Sequence, residues 1–428
     1  MIMHQPFEKT MDLVNGLIKP GIQFLKASDH EFAPLQVAVI ESQVALFEDL
    51  AQAASDPNRK VALFEFGLTP QMFYAFDCAP LCMETFQGLF VRIRKEVFYD
   101  FVAAAEEAGA SSDVCSTDRF ILGAALQGEL PSENAFFVTA SAPCDGTRIA
   151  YPIMQKVLEI PTLFLESPYT YGREAARWYA GQLKQELIPF LEEVTGKKFD
   201  IDRFREVIEE SNKAYELMVD LYEIYARKPT PHPSSLRAMA YGGFITSAGT
   251  PGLTKTVQLL YDDAVRRVKE GIQPPNEEKY RVMWAHVQPG YDGSFYSWME
   301  ETLGATVVTT SLSSTPILKP IDTTSLDTML EGYAWQGLDL TMSLMRMDSK
   351  TLWDATMLAY DYYNCDCLIV TQHPGCKSIC GAAGLWRRYA REQDIPTLFI
   401  ELDYNDDRVL SPELLRQQVE EFFNTVMV

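Results

Sequence analysis

One segment of this chain is written twice, with a cysteine at the same place in each copy. Val138-Thr139 is followed five residues after the threonine by Cys144, and Val370-Thr371 is followed at the same interval by Cys376. A helix-like stretch comes next in each copy. The chain then reads Ile160-Pro-Thr-Leu-Phe-Leu-Glu166 in one copy and Ile395-Pro-Thr-Leu-Phe-Ile-Glu401 in the other. Two copies of strand, cysteine loop, helix and strand point to two similar α/β halves. A pseudo-symmetric pairing of those halves would bring the two loops face to face. Open α/β sheets bind their ligands in loops at the carboxyl ends of parallel strands. Thiols delivered there from distant parts of the chain have the look of a built site.

The rest of the chain fits that frame. Its 428 residues are enough for two or three domains with large cores. With 47% hydrophobic and 22% charged residues, the composition is that of an ordered globular protein. A net charge of -22 argues against nucleic acid, because binding phosphates needs a basic surface. The start, Met1-Ile-Met-His-Gln-Pro6, lacks the basic-then-apolar pattern of a secretory signal, and no apolar run is long enough to span a bilayer. The expected location is therefore the reducing cytoplasm. Eight cysteines there read as metal or catalytic groups, or as small buried hydrophobes, rather than as disulfides.

Periodicity divides the chain into a helical N-terminal segment (1–58), a first α/β lobe (59–170), a helical connector (171–275) and a second α/β lobe (276–428). Strands are expected at Val61–Phe66, Ala79–Met83, Tyr280–His286 and Ala305–Thr309, besides those of the two repeats. Helices are expected over Val91–Ala108, from Cys115 to about Leu126, across Asp322–Tyr360 and over Pro412–Thr425. The expected fold class is α/β. Two Rossmann- or flavodoxin-like parallel-sheet lobes carry N-terminal and central helical segments.

Cys115, in Ser112-Asp-Val-Cys-Ser-Thr-Asp118, falls at a predicted helix start. The positive end of a helix lowers a thiol pKa and favours the thiolate that soft metals and iron–sulfur clusters require. Cys115, Cys144 and Cys376 are thus candidate ligands. Spacing alone leaves the matter open, since the tight Cys-x-x-Cys pairs of a zinc ribbon are absent.

Taken in order, three segments resemble the 2-hydroxyacyl-CoA dehydratase and benzoyl-CoA reductase family. They are Ser112-Asp-Val-Cys115 with Gly123, then Ser141-Ala-Pro-Cys-Asp145, then His373-Pro-Gly-Cys-Lys377 with Ile395-Pro-Thr-Leu, Asp403 and Asp407-Arg408. The resemblance runs from about residue 60 to the end. It implies a [4Fe–4S] cluster held by Cys115, Cys144 and Cys376, with one iron lacking a protein thiolate. It further implies a CoA-thioester substrate and a second family subunit or a homodimer. An ATP-hydrolysing iron–sulfur activator would supply the electron. In the dehydratases, that electron makes a ketyl radical from which the 2-hydroxyl leaves; the reductase branch reduces an aromatic thioester. Other readings are a non-catalytic electron-relay subunit, a double-cubane reductase and a zinc-stabilised protein.

The departures from the family pattern bear on catalysis. Relatives often carry a Pro-x-Glu-Leu-like segment near the first turn, where this chain has Thr69-Pro-Gln-Met72. An amide cannot exchange protons as a carboxylate does. Gln71 or a substitute such as Glu84 is therefore the candidate there, and His373 is a candidate proton donor beside Cys376. Cys78 and Cys82 share the four-residue spacing of Cys376 and Cys380. Cys365 and Cys367 are expected to pack in the core on one face of a strand start. The Cys-x-Cys segment expected of double-cubane relatives is absent near 335–350. Gln288-Pro-Gly-Tyr-Asp-Gly293 reads as a strand-to-helix turn over the cleft. Lys377, Arg148 and Arg173 are available for CoA phosphates.

Overall fold

Among the described residues eight short parallel strands form two sheets, and six of them are buried along their whole length or nearly so. The computed structural model of the chain describes residues 5–140, 145–311, 319–339 and 348–427, without the side chains of 239–241. The first sheet holds β1 (Val61–Phe64), β2 (Ala79–Cys82), β3 (Ala135–Thr139) and β4 (Thr162–Phe164) in the order β2-β1-β3-β4. The second holds β5 (Tyr280–Ala285), β6 (Ala305–Thr310), β7 (Cys367–Gln372) and β8 (Thr397–Glu401) in the order β6-β5-β7-β8. All pairings are parallel. β1 to β3 are buried at every residue, as strands covered by helices on both faces must be. The edge strands β4 and β8 are partly exposed.

The two sheets repeat one topology. Strand order reverses between β1 and β3 in one lobe and between β5 and β7 in the other, and such switch points open a crevice at the strand ends. β3 leads to the segment 141–144 and β7 to His373 and Cys376. Cys144 itself lies outside the described residues. The repeated sequence and the repeated sheet order agree, so the fold is α/β with two lobes.

Helices fill the remainder. The N-terminal segment includes Lys19–Lys26 and Ala33–Ser55, and the connector includes Arg173–Gln182, Ile201–Tyr225 and Pro251–Glu270. Local caps explain several boundaries. Asp200 accepts from the amides of Asp202 and Arg203, and Ser411 accepts from Leu414. Pro412 follows directly at a first-turn position that needs no N–H. One apolar core joins the N-terminal helices to both sheets, from Phe47 and Leu50 through Leu63 and Phe120 to Trp284 and Ile369.

Two expectations are corrected, and one helix was not foreseen. The helix expected over Val91–Ala108 is two helices, Gly88–Ile93 and Lys95–Glu107, broken where Arg94 leaves helical geometry at φ -132° and ψ 60°. The connector contains a further helix, Ser234–Ser247, whose paired Gly242 and Gly243 mask its helical character. Cys365 and Cys367 are both core residues, but they enter different apolar clusters. Cys365 precedes β7 and follows Asn364 at φ +47°, so the strand alternation does not reach it. The stretch Asp322–Tyr360 appears as Leu326–Asp339 and Ser349–Tyr362, with 340–347 outside the described residues.

Candidate active site

Cys115 is the N-cap of the helix Ser116–Leu126, and Cys376 is the N-cap of Lys377–Glu392. The first of these helices is fixed from behind. Phe120 packs against Phe86, Phe90, Phe98 and Phe101 with ring centroids 5.2 to 5.6 Å apart. Such pairs each contribute roughly 0.5–1.5 kcal/mol beyond area burial. Gly123 lets this helix lie on Lys95–Glu107, since a Cβ there would stand 1.8 Å from the Phe101 carbonyl oxygen. A buried ionic cluster then ties the same helix to the second lobe. Arg119, 1% exposed, binds Asp406 at 3.1 Å and Glu106, and Arg408 bridges Asp406 and Glu106. Asp403 accepts hydrogen bonds from the Ser116 hydroxyl and from the amides of Asn405 and Asp406.

The lobes meet at Cys115. Its backbone nitrogen and Cα would both lie 2.6 Å from a Cβ placed on Gly375, so only a glycine permits this approach. His373 Nε2 is 3.2 Å from Cys115 Sγ, and its Nδ1 is 3.7 Å from Asp403. Burial depresses the His373 pKa and favours the neutral imidazole. The Cys376 amide donates to the His373 carbonyl at 2.8 Å, and the Cys380 thiol donates to the same oxygen at 3.0 Å.

Cys115, Cys376, His373 and Glu84 line one cavity of about 770 Å³. Glu84 is 8% exposed, and its carboxyl is pushed up to about 7, chiefly by burial. The Tyr151 hydroxyl donates to one carboxyl oxygen, and the Cys82 thiol lies 3.6 Å from the other. Gln71 is elsewhere. It is buried in a short helix and donates to Ser211 and Gln336, both at 3.0 Å, in the packing between helices. Its side chain does not reach the cavity.

The expected lowering of the Cys115 pKa is reversed. Burial, with Asp118 and Asp403 nearby, pushes the free thiol well above its usual range, outweighing the helix start. Burial likewise raises Cys376 to about 11. These thiols hold their protons until a cation displaces them, as binding of a soft metal does. Among the described residues no three His, Cys, Asp or Glu side chains converge as a metal site. The described part of the site contributes two thiols, each at a helix start and both on the cavity.

Of the other described cysteines none lines the cavity, although Cys380 reaches the His373 carbonyl and Cys82 the Glu84 carboxyl. Cys78 and Cys82 bracket β2, where an extended chain separates them by about 13 Å, too far to share one iron. Burial pushes Cys78 up to about 12 and also raises Cys82. The basic candidates are occupied: Lys377 by Asp113, Arg148 by Tyr169, and Arg173 by Glu331. Gln288 and Gly290 do line the cavity, so the turn that follows β5 borders the site.

Two cavity residues were missed in the sequence. His286 directly follows β5, as His373 follows β7, so both flank the second lobe's switch point and their rings lie 5.9 Å apart. Its place at a strand end was the available signal. Asp118, 2% exposed with one carboxyl oxygen making no hydrogen bond, is pushed well above the usual carboxylate range by burial and the neighbouring Glu84. In sequence it passes for an ordinary first-turn residue of a helix.

Comparison with known proteins follows the same lines. The model of the 2-hydroxyglutaryl-CoA dehydratase D-component family matches residues 69–426, and the chain belongs to that family. It is 26% identical to a benzoyl-CoA reductase subunit of Thauera aromatica over 411 residues, 89% of this chain and 91% of that one. It is also 26% identical to the (R)-phenyllactyl-CoA dehydratase alpha subunit of Clostridium sporogenes over 190 residues, 42% of this chain and 46% of that one. A similar identity, 26% over 129 residues, links it to the alpha subunit of (R)-2-hydroxyglutaryl-CoA dehydratase from Acidaminococcus fermentans, covering 29% of this chain and 27% of that one. The matches thus span less than half the length of either dehydratase subunit. Among the described residues no helix is long and apolar enough to cross a membrane.

Proposed function

We propose that this chain is an iron–sulfur subunit of a 2-hydroxyacyl-CoA dehydratase, working in the cytoplasm without oxygen. One observation carries the reading: Cys115 and Cys376 start helices of opposite lobes on one cavity that is also lined by Glu84 and His373. Cys115, Cys376 and Cys144 would hold a [4Fe–4S] cluster, and the two described thiols fit its preference for soft donors. When bound, the cluster supplies a low-potential electron to the thioester.

The chain's own residues do the rest. Burial keeps the proton on Glu84 up to about pH 7, so its carboxyl can protonate a departing hydroxyl oxygen. The Tyr151 hydroxyl orients that carboxyl. His373, held neutral by burial, turns Nε2 toward Cys115 Sγ and donates a hydrogen bond there in its Nε2–H tautomer. The apolar cavity wall excludes water from the reacting carbonyl. An ATP-hydrolysing iron–sulfur activator and a second subunit, or a second copy of this chain, complete the system.

A second reading has its own support. The benzoyl-CoA reductase subunit matches along nearly its whole length, which favours reduction of an aryl-CoA. Incubation with a reduced activator, ATP and a 2-hydroxyacyl-CoA tests the choice. Formation of the 2-enoyl-CoA supports dehydration, and reduction of an aryl-CoA alone moves the assignment to the reductase. Turnover only after a second family subunit is added, with iron in this chain but thioester binding confined to that subunit, assigns this chain the electron-relay role.

A further inference from the structure

The cavity beside the cysteines has two unlike sides. One carries Cys115, His373, Glu84 and Asp118. The other is a wall of aliphatic and aromatic side chains from the N-terminal helices: Ile18, Ile22 and Leu25, then Val39, Val44 and Phe47. All six precede residue 69, where the family match begins. Four of them also belong to the main apolar core, so the wall is built into the fold.

Charge is as informative as shape. Among the described residues, the carboxyl and cationic side chains lining the cavity, histidine apart, are Glu84, Asp118 and Arg92. Arg92 is exposed and donates its Nε–H to the Gly290 carbonyl at 3.2 Å. Among the described residues no buried Lys or Arg is therefore available to a carboxylate that enters, and the two buried carboxyl groups it would meet are acids. Burying such a carboxylate against aliphatic side chains without a partner is strongly unfavourable. The phosphates of a CoA are excluded from that wall for the same reason, and its purely apolar side chains suit an acyl group better than the amide-bearing pantetheine arm.

We propose that the cavity selects thioesters whose acyl group is uncharged and apolar, branched aliphatic or aromatic, and rejects those ending in a second carboxylate. The specificity residues are those of the N-terminal wall, Ile22 and Val44 among them. This assignment rests on the CoA-thioester reading above and goes further by naming the substrate class.

The test is calorimetric binding to the cluster-loaded protein, using thioesters that lack the 2-hydroxyl and so are not dehydrated. Hexanoyl-CoA and 3-phenylpropionyl-CoA should bind at least about tenfold more tightly than acetyl-CoA, because each buried methylene adds affinity. Glutaryl-CoA should bind no better than acetyl-CoA. Ile22→Phe and Val44→Phe, which narrow the apolar side, should abolish the advantage of hexanoyl-CoA over acetyl-CoA. The series on the unaltered protein decides the matter even if a variant fails to fold. Equal binding of glutaryl-CoA and hexanoyl-CoA would overturn the substrate class and leave the thioester reading standing. Equal weakening of every thioester by both variants would place the pantetheine arm at the wall and also overturn it. Failure of all the thioesters to bind would overturn it together with the reading beneath it.

Discussion

Gly375 of the second lobe lies directly against Cys115 of the first, with room for a hydrogen where a Cβ would come within 2.6 Å of the Cys115 backbone. That contact sets how closely the two cysteine-capped helices approach. Gly375→Ala should therefore push the lobes apart at the site, costing about 1–3 kcal/mol as an overpacked contact. Its clearest sign would be loss of bound iron with helix content unchanged, read by iron analysis beside circular dichroism.

Gly123 makes the corresponding contact behind Cys115. A methyl group at this position meets the Phe101 carbonyl, which is backbone and cannot rotate away. Gly123→Ala should destabilise the fold at or above the upper end of the usual overpacking range, about 3 kcal/mol. A urea unfolding midpoint measures this, and a change of under about 0.5 kcal/mol would contradict the packing described.

Arg119 is buried with Asp406 and Glu106, and Asp403 lies 3.9 Å away. Without Arg119, Asp406 and Glu106 keep Arg408 as a partner, while the buried Asp403 loses the guanidinium 3.9 Å away. Arg119→Met should cost about 3 kcal/mol, the lower end of the range for breaking a buried pair. Arg408→Met, at the half-exposed end of the same cluster, should cost much less. Thermal melts of the two variants test the ranking.

Glu84 makes stability depend on pH. Its carboxyl is raised from 4.5 to about 7, so the folded chain keeps a proton that the unfolded chain releases between those values. The contribution is fully present below about pH 4.5, declines as pH rises toward 7, and then levels off. Over that window the loss is about 3 kcal/mol. In Glu84→Gln this part of the pH dependence should disappear. Parallel decline of both proteins between pH 5 and 7 would show that other groups carry it.

Much of this architecture can be read from the sequence because it is repeated there. Val138-Thr139 and Val370-Thr371 end equivalent strands, and the Ile-Pro-Thr-Leu-Phe runs hold equivalent edge strands. Cys115 is read correctly as a helix start, yet its electrostatics are not. Local sequence shows the helix end but not Asp403, which arrives from 288 residues away. Gln71 and Glu84 are equally plausible by position, and only tertiary packing separates a residue between helices from one on a cavity wall. The cavity's apolar side could not be foreseen. Its residues look like ordinary core positions of the N-terminal helices until the lobes are placed against them.

The chemistry proposed for this chain depends on its cysteines, so the most direct measurement is iron and acid-labile sulfide per chain, on protein purified without oxygen, beside Cys376→Ser and Cys365→Ser. About four irons with matching sulfide in the unaltered chain, a marked loss in Cys376→Ser and retention in Cys365→Ser are the predicted results. Zinc in place of iron, or iron unchanged by Cys376→Ser, would contradict the cluster and the redox chemistry built on it.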